Sequence, residues 1–317
     1  MPNYLTVAEA SKVERNPLRR GVMQILSRSA PFFSLVPFQR IDGNAYTYVQ
    51  STKLPSVSFR GVNEGYTPSS GVVNPQTESL TIIGGEFDTD KFLVITQPST
   101  SVDRHRAITT EQQAEALGKK IMKSFFKGNH DSNPREFDGL ERRIIGRQLI
   151  DCGSFAGASP ASGGNVPTLR DINLLLSRLR GKADALFMNT DMHLLVEHLI
   201  RSSGSAFELV NDEFGRVLTR YRGVFILPIE EDEADAAILP FTENDSLGAS
   251  ASCTSIYAVR FGADQYTTML ENSRGLMVDD LGELESAPKY RTRAEWYLAL
   301  AVFDGRSVGR LRGCKLG

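Results

Sequence analysis

The sequence lacks the features of a membrane-spanning or exported protein. No run of about 18 apolar residues occurs, so no segment is long enough for a membrane-spanning helix. The N-terminal residues lack the apolar core of a signal peptide. Cysteine is rare, and Cys152, Cys253 and Cys314 have neither disulfide-framework nor zinc-site spacing. We therefore expect reduced thiols, an intracellular folding compartment and no membrane contact.

Catalytic and cofactor-binding motifs are also missing. The sequence contains no GxxxxGK[ST] or GxGxxG phosphate loop and no GxSxG nucleophile elbow. His193 and His198 share a predicted helix, but a spacing of five residues separates them by about 140° around its axis. A zinc pair needs a spacing of four. We therefore predict no catalytic residue, no cofactor and no metal site.

Charge is nearly balanced overall but unevenly distributed. The formal net charge is −2, which gives no general attraction to nucleic acid. Residues 1–30 and 289–317 are basic, and they provide at most a weak, sequence-independent attraction to phosphates. Residues 230–245 are acidic and contain no Lys or Arg, which we interpret as a solvated loop.

One long helix is predicted over residues 99–128. Ser99 to Ser101 are suitable N-cap residues, no proline follows before Pro134, and Gly128 is a C-terminal stop. About 28 residues span roughly 40 Å, which would cross most of a compact chain of this size. The apolar stripe of its later half consists of Ala114, Leu117, Ile121 and Phe125. This segment alone is equally consistent with a strut across the molecule and with an ordinary amphipathic helix.

A long two-stranded ribbon is predicted between residues 43 and 83. Strands over 44–53 and 76–83 flank a connection rich in glycine and proline. Two limbs of about 20 residues would reach roughly 60 Å. Neither face is consistently apolar, and a ribbon that buries no face is marginal alone in water. We therefore expect a neighbouring subunit to support it. The alternative is two strands of an ordinary sheet with polar outer faces.

The segments around these two features are less regular. Pro17 interrupts a helical pattern over residues 5–24, which suggests an extended arm carrying a broken helix. Residues 84–95 are predicted to be a strand leading into the long helix, and a turn-rich connector follows that helix. Residues 152–167 are rich in Gly, Ala, Ser and Pro, so we place a linker and a domain boundary there.

The residues after the linker have the alternating pattern of an α/β layer. Thr168 and Asp171 form a capping-box-like helix start, residues 185–188 a buried strand, and Thr190 caps a helix that stops before Gly204. Further strands are predicted at FELV, RVLTRY, VFILPI, TSIYAVRF and GLMVDDL. Residues 290–302 alternate as one long strand. Because that strand and SVGRLRG are long enough to return to the first domain, we predict that residues 168–284 are an insertion.

Several collinear stretches resemble the major capsid proteins of tailed bacteriophages with the Hong Kong 97 type fold. They are GGEFDTD (84–90), FFKGN (125–129), EFDGL (136–140), DALFMN (184–189), FGRVLTRYRGVFIL (214–227), SIYAVRFG (255–262) and RTRAEWYLALAV (291–302). The resemblance implies an α+β capsid fold. Its parts would be an N-terminal arm (1–40), an extended hairpin or E-loop (41–85), a peripheral domain with a spine helix at 99–128 (86–167), an axial α/β domain (168–284) and returning peripheral strands (285–317).

The resemblance also implies a function and partners. We expect a non-enzymatic subunit that assembles into hexamers and pentamers of an icosahedral phage head around double-stranded DNA, built in the host cytoplasm. Only a short arm precedes the E-loop, so we expect a separate scaffolding protein, together with a portal and a decoration protein. The alternatives are an encapsulin-like compartment shell and a two-domain α/β enzyme with its site at the linker.

Specific residues follow from this reading. Arg60 and Glu64, near the ribbon tip, are predicted to form charge pairs between subunits, although either charge alone would contribute little. Arg19 and Arg20 are predicted to face packaged DNA. Some family members cross-link a lysine to an asparagine of a neighbour, but Lys53 and Asn272 lie in no matching motif, so no cross-link is carried over.

Overall fold

The chain has an α+β fold with two mixed sheets and one separate hairpin. The computed structural model describes residues 4–96, 102–154, 163–204, 207–212, 214–248 and 252–316. The predicted N-cap residues Ser99 to Ser101, and half of the predicted linker (155–162), lie outside these ranges. The predicted fold class is confirmed.

The N-terminal region is helical and compact, so the prediction of an extended arm was wrong. It contains β1 (Tyr4–Leu5), α1 (Val7–Val13), α2 (Pro17–Ser29), α3 (Phe32–Leu35) and β2 (Phe38–Ile41). Pro17 does not break a helix because it is the first residue of α2, where a backbone N–H is not needed. This region packs on its own chain, where the side chains of Leu26, Phe32 and Phe33 are buried.

The hairpin and the long helix occupy the next part of the chain. Their elements are β3 (Ala45–Lys53), β4 (Val72–Ser79), β5 (Thr81–Asp90), α4 (Lys91–Thr96) and α5 (Val102–Lys127), which we call the spine helix. The predicted second limb, 76–83, is divided between β4 and β5. Residues 91–96 form a helix rather than the end of a strand, since Asp90 accepts a hydrogen bond from the Phe92 amide and so turns the chain. The predicted stripe Ala114, Leu117, Ile121 and Phe125 is buried.

The α/β layer follows the prediction closely. After α6 (Leu140–Arg143) and β6 (Leu149–Asp151) come α7 (Leu169–Arg178), β7 (Ala185–Asn189), α8 (Thr190–Ser202), β8 (Phe207–Asn211), β9 (Val217–Tyr221), β10 (Val224–Ile229) and β11 (Thr254–Val259). Thr168 and Asp171 form the capping box of α7. The cap of α8 is Asn189 rather than Thr190, because its side chain accepts from the Asp191 amide.

The sheets divide the C-terminal strands differently from the predicted domain ranges. These strands are β12 (Thr267–Asn272), β13 (Met277–Glu283), β14 (Lys289–Val302) and β15 (Val308–Cys314). The first sheet has the order β1-β2-β12-β14-β13, and β5 pairs with the other edge of β14. The second sheet has the order β6-β15-β11-β7-β10-β9-β8. Residues 267–283 therefore lie in the first sheet, and β15 lies in the second.

One hydrophobic core includes residues of both sheets and contains an aromatic cluster at the end of the spine helix. Phe125 and Phe126 at the end of this helix are fully buried, and Phe32 packs on Phe125 with ring centroids 4.8 Å apart. Phe126 in turn packs on Phe187 of β7 at 5.3 Å. Because α2, α3 and the spine helix share this core with the second sheet, they form one packed unit with it, whereas β3 and β4 form a separate two-stranded sheet.

Candidate assembly surface

The base of the hairpin is covered on one face by its own chain. Tyr46, Tyr48 and Gln50 alternate along β3 and therefore point to the same face. Tyr48 is buried, with its ring centroid 4.7 Å from that of Phe303, and Gln50 donates a 3.4 Å hydrogen bond to the carbonyl of Val302. The opposite face, which includes Val49 and Val73, is exposed. The chain thus covers one face of the base and leaves the other free.

An ion pair adds to this covered face. Arg143 of α6 binds Glu78 of β4 through both terminal nitrogens, with Nη2 2.7 Å from Oε2. Each side chain is 16% exposed. Burial alone would lower the pKa of the Arg143 guanidinium, but hydrogen bonding and charge from Glu78 outweigh it and raise that pKa. This pair could not be predicted from the sequence, because its two residues are 65 positions apart and on different elements.

The outer part of the hairpin, residues 54–71, which we call the tip, contacts little of the chain. Large apolar side chains here are exposed, including Phe59, at 107% of its reference area, and Val57 and Val62, at more than 90%. Single exposed apolar residues are common, but a group on one projecting element marks an interaction site. The apolar residues within LPSVSFRGV (54–62) are the sequence signal for this surface. The prediction missed it because it considered only the alternation of apolar residues along the two strands.

The predicted contact residues Arg60 and Glu64 brace a turn within the tip. The Glu64 carboxylate accepts a 2.7 Å hydrogen bond from the Gly61 amide, and Arg60 donates to the Glu64 carbonyl at 3.1 Å. Asn63 has a positive φ of 68°, a conformation that Asn tolerates well. Both predicted residues are exposed, so their side chains remain accessible to a second molecule.

The acidic loop is not simply solvated, contrary to the prediction. The Glu243 side chain is only 10% exposed; it binds Lys127 of the spine helix and accepts a 2.9 Å hydrogen bond from Arg310 of β15. Asp232 is buried and lies 2.6 Å from Lys123. Lys123 donates a hydrogen bond to the Asp232 carboxylate, and the backbone amides of Ala236 and Ala234 donate two more. Together these hydrogen bonds lower the pKa of Asp232 to about 2. The loop's carboxylates therefore bind lysines of the spine helix and hold the α/β layer against it.

The predicted DNA-facing residues differ in their surroundings. Arg19 is partly buried, pairs with Glu14 at 3.2 Å and donates from Nε to the carbonyl of Leu276. Arg20 is exposed on α2. Arg19 is therefore engaged within the chain, whereas Arg20 is accessible to a phosphate.

Both ends of the predicted linker are held by hydrogen bonds. Asn165 donates to the Cys152 carbonyl at 2.9 Å, and its backbone amide donates to the carbonyl of Gly313 at 3.0 Å. Cys152, Cys253 and Cys314 are buried and unpaired, as expected for reduced thiols. Residues 163–165 therefore belong to the body of the fold, and residues 155–162 lie outside the described ranges.

Neither a metal site nor a membrane span is found in the described part of the chain. No group of three or more His, Cys, Asp or Glu side chains is arranged there to hold a metal ion. Within the same ranges, no helix combines the length and the apolar character needed to cross a membrane.

Comparison with known proteins separates sequence from structural similarity. Residues 18–162 match the family model described as major capsid protein GP7. No curated protein is significantly similar in sequence. Among solved structures, the capsid of a native GTA particle aligns with a TM-score of 0.59 at 12% identity, covering 87% of each chain. The Microbacterium phage Oxtober96 structure aligns with a TM-score of 0.55 at 10% identity, covering 88% of each chain. The family match over residues 18–162 and the capsid structures together support the predicted resemblance to the major capsid proteins of tailed phages.

The structural similarity extends to a compartment shell. The holo-SrpI encapsulin complex from Synechococcus elongatus PCC 7942 aligns with a TM-score of 0.62 at 16% identity, covering 89% of this chain and 86% of that one. At such identities the similarity establishes the fold alone. The predicted Hong Kong 97 type fold is thus confirmed, and the family match over residues 18–162 supports the predicted role as a phage head shell protein.

Proposed function

We propose that this capsid protein assembles into the hexamers and pentamers of its shell through the hairpin, which lies across a neighbouring copy. The observation that carries the proposal is the tip, whose apolar side chains have no cover within the chain. Burying a side chain such as Phe59 against a neighbour would contribute about 1.5 to 3 kcal/mol. Repeated at every subunit of a closed shell, such modest contacts add up to a stable assembly.

Charged residues at the tip would make this contact selective. Arg60 and Glu64 are proposed to meet opposite charges of the neighbouring subunit while keeping the tip turn in shape. Since both side chains are exposed, each charge pair would contribute less than about 1 kcal/mol to the contact. Its main effect would be on how the tip aligns with the neighbouring subunit.

Other proposed partners follow from the position of this protein in a phage head. A separate scaffolding protein, a portal and a decoration protein would act with it during assembly in the host cytoplasm. Packaged double-stranded DNA would be held by sequence-independent contacts, for which Arg20 is better placed than Arg19 because its guanidinium is exposed.

Electron microscopy of the protein expressed with its scaffold tests the proposal. Hexamers, sheets or closed shells are expected, and particles purified from infected cells should contain DNA. A small soluble oligomer under all assembly conditions would contradict it. The second candidate, a compartment shell, is favoured by the alignment with the encapsulin. Particles that carry a protein cargo and no nucleic acid would support that candidate instead.

A further inference from the structure

The hairpin is attached to the body of the chain without a continuous sheet. β3 and β4 form a two-stranded sheet of their own in the described residues. The chain enters the hairpin through Gly43, whose φ is +99°, and leaves it through the single residue Leu80. Because no backbone ladder joins the hairpin to either larger sheet, contacts at its base determine the angle at which it projects.

That angle matters because the hairpin is long. A strand of nine residues such as β3 extends about 30 Å. A rotation of about 10° at the base would move its far end by roughly 5 Å, which is about the spacing between neighbouring strands. A displacement of this size is large enough to move the tip from one set of side chains on the neighbouring subunit to the next.

The base carries one bidentate ion pair, in addition to the hydrogen bond that the Tyr46 hydroxyl donates to Asp264 at 3.1 Å. Arg143 binds both carboxylate oxygens of Glu78, and Tyr48 donates to Oε1 of the same carboxylate at 3.3 Å. A bidentate pair fixes orientation as well as distance, unlike the ring contacts of Tyr46 and Tyr48 with Phe303. Glu64 and Glu78 are the only acidic residues in segment 45–79, so no other carboxylate of the hairpin is close enough in sequence to replace Glu78.

Arg143 lies on α6 and is held in place next to the C-terminal end of the spine helix. Its Nε donates to the Asp138 carbonyl at 2.7 Å. The Gly139 amide donates to the Gly128 carbonyl at 2.9 Å, just after the last residue of the spine helix. A Cβ on Gly128 would lie 2.4 Å from the Phe137 carbonyl oxygen, so the two segments are in close contact. The guanidinium that binds the hairpin is thus fixed relative to the spine helix.

We propose that Glu78, Arg143 and Tyr48 form a latch that sets the angle between the hairpin and the spine helix. The latch residues are positioning residues: they hold the tip where it meets the neighbouring copy and do not touch that copy themselves. The proposal rests on the proposed function only for its second consequence, the effect on assembly. Its first consequence, restriction of hairpin motion, concerns the isolated subunit.

Glu78→Gln tests the latch because it removes the charge and keeps the size of the side chain. Hydrogen exchange of the unassembled subunit should become at least about tenfold faster for amides of residues 45–50 and 72–79. Amides of residues 114–127 in the spine helix should stay within about twofold of wild type. The threshold concentration for shell formation should rise at least about fivefold. The matched control is Glu86→Gln, which breaks the exposed pair with Arg293 in the first sheet and should change neither the exchange of the hairpin nor the threshold.

Each outcome decides one part of the proposal. Hairpin exchange within twofold of wild type in folded Glu78→Gln would overturn the latch, and faster exchange with an unchanged threshold would overturn its link to assembly. If Glu78→Gln does not fold, Tyr48→Phe removes only the hydroxyl, and about threefold faster hairpin exchange is expected; no change would overturn the latch. Failure of the wild type to assemble would contradict the proposed function, while the exchange measurement would still decide the latch.

Discussion

The spine helix and the hairpin tip both carry large apolar side chains, but the chain covers only those of the helix. Ile121, Phe125 and Phe126 are fully buried, whereas Phe59 is fully exposed. The first group stabilises the subunit, because its burial is complete before any second molecule arrives. The second group would gain burial only between copies, as proposed. If so, the residues that fold the subunit differ from those that assemble the shell, and mutations should act on one without the other.

Truncation in the aromatic cluster should have the largest effect on the subunit. Phe125→Ala removes a ring that is 0% exposed and packs edge-on against Phe32. We expect the free energy of unfolding to fall by about 3 to 5 kcal/mol. Urea denaturation of the unassembled subunit measures it. A loss below about 1 kcal/mol would mean that the cluster is not the core of the fold.

Neutralising the largely buried carboxylate between the two layers should have the next largest effect. Glu243→Gln leaves Lys127 and Arg310 with Glu141 as their remaining shared counter-charge, and we expect a loss of about 2 kcal/mol in the free energy of unfolding. Glu86→Gln, on an exposed pair, is the matched control and should cost less than about 1 kcal/mol. Equal losses in the two variants would contradict a buried role for the acidic loop.

Lowering the pH should reveal the contribution of Asp232 to the free energy of unfolding, which we expect to be smaller than that of Glu243. Its pKa in the folded chain is about 2, below its ordinary value of 3.8, so its stabilising effect is fully present above about pH 4 and disappears as the pH falls through 2. Asp232→Asn should lower the free energy of unfolding near pH 5 by about 1 kcal/mol or less and flatten its pH dependence between pH 4 and 2. A variant with the same slope as the wild type would rule out this carboxylate as the source.

The smallest effect on stability should come from the tip, together with a large effect on assembly. Phe59→Ala should change the free energy of unfolding by less than about 0.5 kcal/mol, because the ring contacts little of its own chain. Losing about 1.4 kcal/mol of contact with a neighbour would raise the threshold concentration for shell formation about tenfold. Light scattering against concentration measures the threshold; an unchanged threshold would remove Phe59 from the interface.

The parts of the fold with strong local signals were predictable from the sequence. The spine helix, the capping box at Thr168 and the alternation of β14 all depend on residues close in the chain, and the structure contains all three. The helical N-terminal region was missed because Pro17 was treated as a breaker, although it is the first residue of α2. The assignment of β15 to the second sheet was missed because strand pairing depends on partners far apart in sequence.

The candidate site was predictable only in outline. The absence of a consistently apolar face predicted that a neighbouring subunit supports the ribbon. The structure covers one face of the ribbon's base from within the chain and leaves the other face exposed, so support by a neighbour stays a prediction. Arg60 and Glu64 were chosen as charges near the tip, whereas the exposed Phe59 and the latch pair Glu78 and Arg143 were not found. An ion pair between distant residues leaves no periodic signal in a sequence, so only the structure reveals it.

Replacement of tip residues 54–71 by a two-residue turn tests the central claim most directly. The residues removed are exposed and contribute almost nothing to the core, so the shortened subunit should remain folded, with a melting temperature within a few degrees of the wild type. Electron microscopy of this variant expressed with the scaffold should show no shells, while the wild type forms them. Normal shells from the shortened subunit, or a subunit that no longer folds, would contradict the conclusion that the hairpin finds its cover on another copy.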